Sequence, residues 1–364
     1  MYRPTTKNEW WFCGTLLMQG LLVIILEVSV QPSANISHWN PLTWNRYILV
    51  QWLSWVNSNV TQITISYVVP MGMGIVVFAS IYEAILSLDA IHHKNNVSLL
   101  AICISNICIV VYSVLQFLKM RGATRSLRYE KDGMGHPLVD SSRDIWKYMR
   151  PAELAVPIIL GMASLIIIPA AYRLHKDYAW AIYKCIHGSA ELRVRYMAYE
   201  IYLVLIKFNF FFLVGFIVQY NLIDVHFAEP EYSLTLALIP TALVVMLLGI
   251  YCVKSERKVA MGFVIACFLG LITYLLSRII VLCGNTRRAN TASKEMMLLF
   301  AIVALVLNVL TLGCAVQCVL NFDYGLKRIT RQEHRWPENA YVFERVPGQS
   351  RPSVDTRYKR LSLD

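Results

Sequence analysis

Up to about residue 320 the chain alternates long apolar runs with short segments that collect its charges. The runs are Trp10–Val30, Ile65–Asp89, Val97–Lys119, Ala152–Tyr172, Tyr196–Tyr220, Leu234–Val253, Val259–Cys283 and Met296–Leu320. Each has roughly the twenty residues that a helix needs to cross the hydrocarbon core of a bilayer. In that core every backbone polar group must be satisfied within its own segment, which selects helices. The pattern therefore predicts an all-α, polytopic transmembrane helix bundle of about eight spans over residues 10–320. Cleavage of the first run as a signal would leave seven. Its length and its lack of a small-residue cleavage site favour an uncleaved anchor.

Between the runs, residues 31–64 form a Trp-rich loop with two glycosylation sequons, Asn35-Ile-Ser and Asn59-Val-Thr. Ile48, Leu49, Trp52, Leu53, Trp55 and Val56 recur there at helical spacing. Two readings fit, a short helix on the membrane surface or a small luminal cap packed on the bundle. His92-His93-Lys94 predict a tight turn. Residues 120–151 form a polar loop with seven Lys/Arg against four acids. Residues 173–195 form another, with a break and helix start at Gly188-Ser189-Ala190-Glu191. From residue 321 to 364 the chain is polar and basic and predicts a disordered tail.

Composition sharpens the class. Among 364 residues only 16% are charged while 57% are apolar. The net charge of +11 does not indicate nucleic acid, because the basic residues flank the runs or lie in the tail. Placing residues 1–9 and the tail in the cytoplasm gives the inner segments 20 Lys/Arg and the outer ones 11, as the positive-inside rule favours. The basic segment 120–151 is the misfit. Such an arrangement puts the sequons in the lumen and sets the tail against anionic cytoplasmic lipid. The nine cysteines lie mostly within or beside the runs, so no disulfide framework is expected.

Candidate chemistry is confined to polar residues inside the runs: Gln19, Glu27, Glu83, Asn106, Gln116, Lys207, Asn209, Arg278, Asn308 and Gln317. A charge at such depth costs about 2.5–3.5 kcal/mol on insertion scales and so needs a partner or a wet cavity. Helical rise puts Glu83 about 9 Å and Lys207 about 13 Å inside the same face, which predicts a pair between spans two and five. Glu27 and Arg278 have matching depths near the other face and are expected to pair or to snorkel separately. Gly262, Ala266 and Gly270 form a small-residue ridge on the seventh span, suited to close helix contact. Histidine boxes, His-Glu-x-x-His, Gly-x-Ser-x-Gly and the P-loop are all absent from the sequence. Nothing calls for a cofactor or metal, and no catalytic residue emerges.

The segment Trp180–Tyr220 carries Trp180, Tyr183-Lys184, Gly188, Arg193 or Arg195, Lys207-Phe208-Asn209-Phe210-Phe211-Phe212, Gly215-Phe216 and Gln219. It resembles the signature region of a family of fungal Golgi apparatus membrane proteins of uncharacterised function. That resemblance implies a Golgi or related endomembrane address and no catalytic residues. Three functions remain open. The first is non-enzymatic organisation or sorting of cargo or lipid, with self-association through the seventh span. The second is a transporter or channel with a polar path at Glu83 and Lys207. The third is a seven-span receptor-like protein.

Overall fold

A computed structural model describes residues 6–28, 52, 55, 64–129, 137–139, 144–185, 190–222, 231–284 and 294–322. The sequons at Asn35 and Asn59 and the tail from residue 323 lie outside them. Eight helices in this set are long and apolar enough to cross a membrane. They are α1 (Lys7–Val28), α2 (Thr64–His93), α3 (Asn96–Tyr129), α4 (Ile145–Cys185), α5 (Ala190–Tyr220), α6 (Glu231–Ser255), α7 (Lys258–Cys283) and α8 (Lys294–Leu320). The all-α polytopic bundle expected from the apolar runs is thus the fold. We call the face where α1 begins and α8 ends the first face, and the opposite one the second face.

The helices close into two rings of four. In one, α1 packs on α2 and α4, and α3 on α2 and α4; in the other, α5 packs on α6 and α8, and α7 on α6 and α8. The α5–α8 seam is the most extensive, and α5 joins the rings through α2 and α3. No sequence repeat announces this arrangement, because antiparallel neighbours adopt it from chain order alone.

The second connection of each ring is built alike. Asn95 N–H donates to Ala90 O (3.1 Å) and Lys94 N–H to Ile91 O (3.3 Å); Arg257 N–H donates to Cys252 O (3.1 Å) and Glu256 N–H to Val253 O (3.4 Å). Both are Schellman ends with a non-glycine residue in the left-handed region, Lys94 at φ 49° and Glu256 at φ 51°. Asn95 Oδ1 then caps α3 by accepting from Val97 N–H (2.9 Å) and Ser98 N–H (3.0 Å). The tight turn expected at His92-His93-Lys94 is realised in this way.

The α1 helix is a full member of the bundle. Phe12, Leu16 and Val23 are buried. Its start is a capping box, in which Glu9 N–H donates to Thr6 Oγ1 (3.3 Å) and Thr6 N–H to Glu9 Oε2 (3.2 Å). Tyr178 Oη donates to Glu9 Oε1 (3.0 Å), and Asn8 Nδ2 to Asp177 Oδ2 (3.0 Å), so the same turn is tied to α4.

Residues 120–151 are not the loop their polarity suggests. The α3 helix continues to Tyr129 and α4 already begins at Ile145, so Arg121, Arg125, Arg128, Lys147 and Arg150 all stand on helices. Polar residues past the bilayer edge do not stop a helix whose propensities are good. Arg128 and Asp144 approach to 3.9 Å across this junction. Trp52 and Trp55, with ring centroids 5.4 Å apart, are buried against Val69, Met73, Met120, Leu127, Leu138 and Met149. Both indoles are thus packed on the bundle, as a cap requires, and are not turned toward lipid.

Candidate functional site

The intramembrane polar residues sort into separate clusters of near neighbours. Glu83 sits at the centre of the first ring and is 2% exposed. Its Oε2 accepts from Asn106 Nδ2 (3.1 Å), which is also 3.1 Å from Gln19 Oε1. Ser164 Oγ donates to Asn106 Oδ1 (2.5 Å). Four helices, α1 to α4, therefore meet at one amide. Such a network fixes helix register because any rotation leaves a buried polar group without a partner.

Lys207 belongs to a different cluster. Its Nζ pairs with Asp89 Oδ2, and the other Asp89 oxygen lies 3.3 Å from His93 Nδ1 one turn further along α2. Tyr82 Oη donates to Lys207 O (2.8 Å), which clamps α2 to α5 at this level. Phe78 and Tyr82 stack on Phe211, each at 5.5 Å between centroids. Spans two and five are neighbours, as the depth comparison required, but the expected Glu83–Lys207 pair is not formed. The reason is directional. Side chains tilt toward the N-terminus of their own helix. Lys207 leans toward the first face, where α5 begins, while Glu83 leans toward the second face, where α2 begins. Asp89 lies six residues, about 9 Å, nearer the first face and leans inward to meet the lysine.

Glu27 and Arg278 are not partners either. The Glu27 carboxyl, 4% exposed, lies near Glu153 on α4, itself 3% exposed, and neither Glu27 oxygen has a hydrogen-bond partner among the described residues. Arg278 Nη1 donates to Tyr220 Oη (2.9 Å), and its guanidinium lies 5.1 Å from the Tyr220 ring and 5.3 Å from the Tyr274 ring. Equal depth was not enough, because α1 and α7 belong to different rings. The amides of the second ring join α5 to α8 and α7: Asn209 Nδ2 donates to Asn308 Oδ1 (3.1 Å), and Asn308 Nδ2 to Phe268 O (3.2 Å). Gln317 faces outward.

The ridge Gly262, Ala266 and Gly270 is exposed, and a Cβ built on either glycine meets nothing within 4 Å. Close helix contact falls instead at Gly215, where a Cβ would lie 2.5 Å from Phe300 Cε1, and at Gly249, where it would lie 2.7 Å from Tyr202 Oη. Neither position was singled out by small-residue spacing, since each glycine acts alone against an aromatic side chain. Among the described residues no group of three or more His, Cys, Asp and Glu side chains could hold a metal ion.

Eight spanning helices, buried polar clusters and apolar outer faces define a polytopic α-helical membrane protein. The chain is similar to the UPF0658 Golgi apparatus membrane protein of Schizosaccharomyces pombe, with 27% identity over 272 residues that cover 71% of this chain and 77% of that protein. The resemblance to fungal Golgi apparatus membrane proteins read from Trp180–Tyr220 is borne out, and the similarity reaches far beyond those forty residues. No family model matches the chain. No solved structure matches it.

Proposed function

We propose that this is a multi-pass protein of the Golgi membrane that organises or sorts lipid or membrane cargo and catalyses no reaction of its own. In this reading the first face is cytoplasmic and the Trp52/Trp55 cap is luminal. The Golgi address rests on the similarity to the fission-yeast protein. The observation that carries the non-catalytic part is that the two deep charges singled out, Lys207 and Glu83, are each held by a neighbouring helix. Lys207 is bound to Asp89 and Glu83 to Asn106, in clusters that lock neighbouring helices together. This supports a scaffold over a path, since a conducting route needs polar groups that exchange partners. The test is a tagged full-length chain at native expression, with its position read against Golgi markers and the Golgi proteome and lipidome compared with and without it. Golgi residence with a shifted cargo or lipid profile is the expected result. Flux of an ion or solute through proteoliposomes, abolished by Glu83→Gln, would replace the scaffold by the transporter.

A further inference from the structure

Consecutive helices usually pack on each other, yet α4 leans on α1 and α3 while α5 leans on α6 and α8. Toward the first face this leaves a wedge between α4 and α5, closed behind by the start of α3. It holds a cavity of about 680 Å³, within the size range of small-molecule sites.

The lining is ordered by depth. His175 lies ten residues before the end of α4 and Glu200 ten residues after the start of α5, and both line the cavity toward the first face. Leu99, Cys103, Ile168 and Ala171 line the inner part. Ile168 lies seven residues below His175, so the apolar floor is about 10 Å deeper than the polar belt. Lys176, at the same level as His175, holds its Nζ 4.6 Å from the ring of Tyr172, itself a wall residue. The mouth opens sideways: Leu100, Tyr172 and Met197 line the cavity and are 62%, 60% and 50% exposed. In a bilayer those residues face acyl chains, so the space communicates with lipid.

We infer that this cavity is a binding site for a phospholipid with a primary-amine headgroup, one acyl chain occupying the apolar floor. Each part follows from the wall. A lateral opening onto hydrocarbon admits a chain. Glu200, 5% exposed, faces the level where a headgroup amine would stand, and a carboxylate there selects a group with N–H donors. His175 and Lys176 supply donors for the phosphate beside it. A choline headgroup has the same phosphate but no N–H, so Glu200 discriminates between the two. This inference deepens the organising role proposed above and rests on the membrane reading for the depth of the belt, not on the Golgi address.

The test uses the full chain in nanodiscs with a phosphatidylethanolamine that carries a photoactivatable diazirine in one acyl chain. Adducts are expected on the peptides containing Leu99–Cys103 and Ile168–Ala171. Unlabelled phosphatidylethanolamine should compete about tenfold better than phosphatidylcholine with the same chains, the margin a charge-assisted hydrogen bond supplies. Glu200→Gln should erase that preference and keep the adducts. Ala171→Trp, which fills the floor, should remove them. Should that variant fail to fold, the headgroup comparison in Glu200→Gln still decides. Adducts spread evenly over outward residues such as Leu165 and Val306 would overturn the site. Equal competition by the two lipids in the unaltered chain would overturn the headgroup assignment. Neither result touches the localisation test, so the two readings fail separately.

Discussion

Replacing Lys207 by Met removes the cation that α5 presents to Asp89. The size of the effect follows from how wet the pair is. Stranding one partner of a fully buried ion pair costs about 3–5 kcal/mol, whereas an exposed pair is worth about 0–1 kcal/mol. The Lys207 and Asp89 side chains are 18% and 30% exposed, and His93 remains beside Asp89 when the lysine is gone. We therefore expect a loss of about 2 kcal/mol for Lys207→Met. Asp89→Asn should cost more, because the lysine it strands is the drier and deeper of the two.

The assay is thermal unfolding of the purified full-length chain in mild detergent, analysed as a double-mutant cycle. Lys207→Met combined with Asp89→Asn should be less harmful than the sum of the two, with a coupling of about 1 kcal/mol or more. Lys207→Met combined with Glu83→Gln should be additive to within about 0.5 kcal/mol, since the two carboxylates serve different clusters. Coupling between positions 83 and 207, with none between 89 and 207, would refute the pairing and the directional argument behind it.

Other perturbations test other joints of the bundle. Gly215→Ala should push α5 from α8 and lower stability by about 1–3 kcal/mol, the range for overpacking, and Phe300→Leu should recover part of the loss. Thr6→Ala should cost about 1 kcal/mol through the lost cap of α1, read as earlier exchange of the amides at residues 7–10. Trp52→Ala should cost about 3–5 kcal/mol by leaving a cavity under the cap, while a surface helix would lose far less on the same melting curve. For topology, Tyr129→Cys should react with a membrane-impermeant maleimide only after the luminal side is opened; labelling in intact cytosol-accessible vesicles would invert the orientation.

The number of spans, their order and the helical class were legible because a bilayer imposes length and polarity on each segment separately. Partners were legible only in part. Depth can be counted along a helix, which is how the α2–α5 contact near Lys207 became visible. Depth does not state which way a side chain leans or which ring its helix joins. Asp89 was read as the end of its span, since an acid beside His92 and His93 looks like a boundary; in the fold α2 runs on to His93 and that acid turns inward. Glu153 escaped notice for the matching reason at the second face, because α4 begins at Ile145 and carries it into the wall beside Glu27.

The same boundary effect bears on where function is sought. Charges deep in a span attract attention because their cost is largest there, and for that reason the fold satisfies them internally. Asn106 serves Glu83 and Gln19 together, and Asp89 serves Lys207 and His93. Groups near the ends of spans are under weaker constraint, since water and headgroups lie within reach. They can be left to face a ligand at little cost to the folded state. His175 and Glu200 stand near such ends: each lies ten residues inside its helix, and both line the wedge between α4 and α5. A variant at Glu200 should therefore separate from one at Glu83. Glu83→Gln should shift the melting curve and leave lipid preference unchanged, while Glu200→Gln should change lipid preference whatever its effect on melting. Destabilisation by Glu200→Gln with lipid preference unchanged would assign Glu200 to the structural network and remove the basis for headgroup selection.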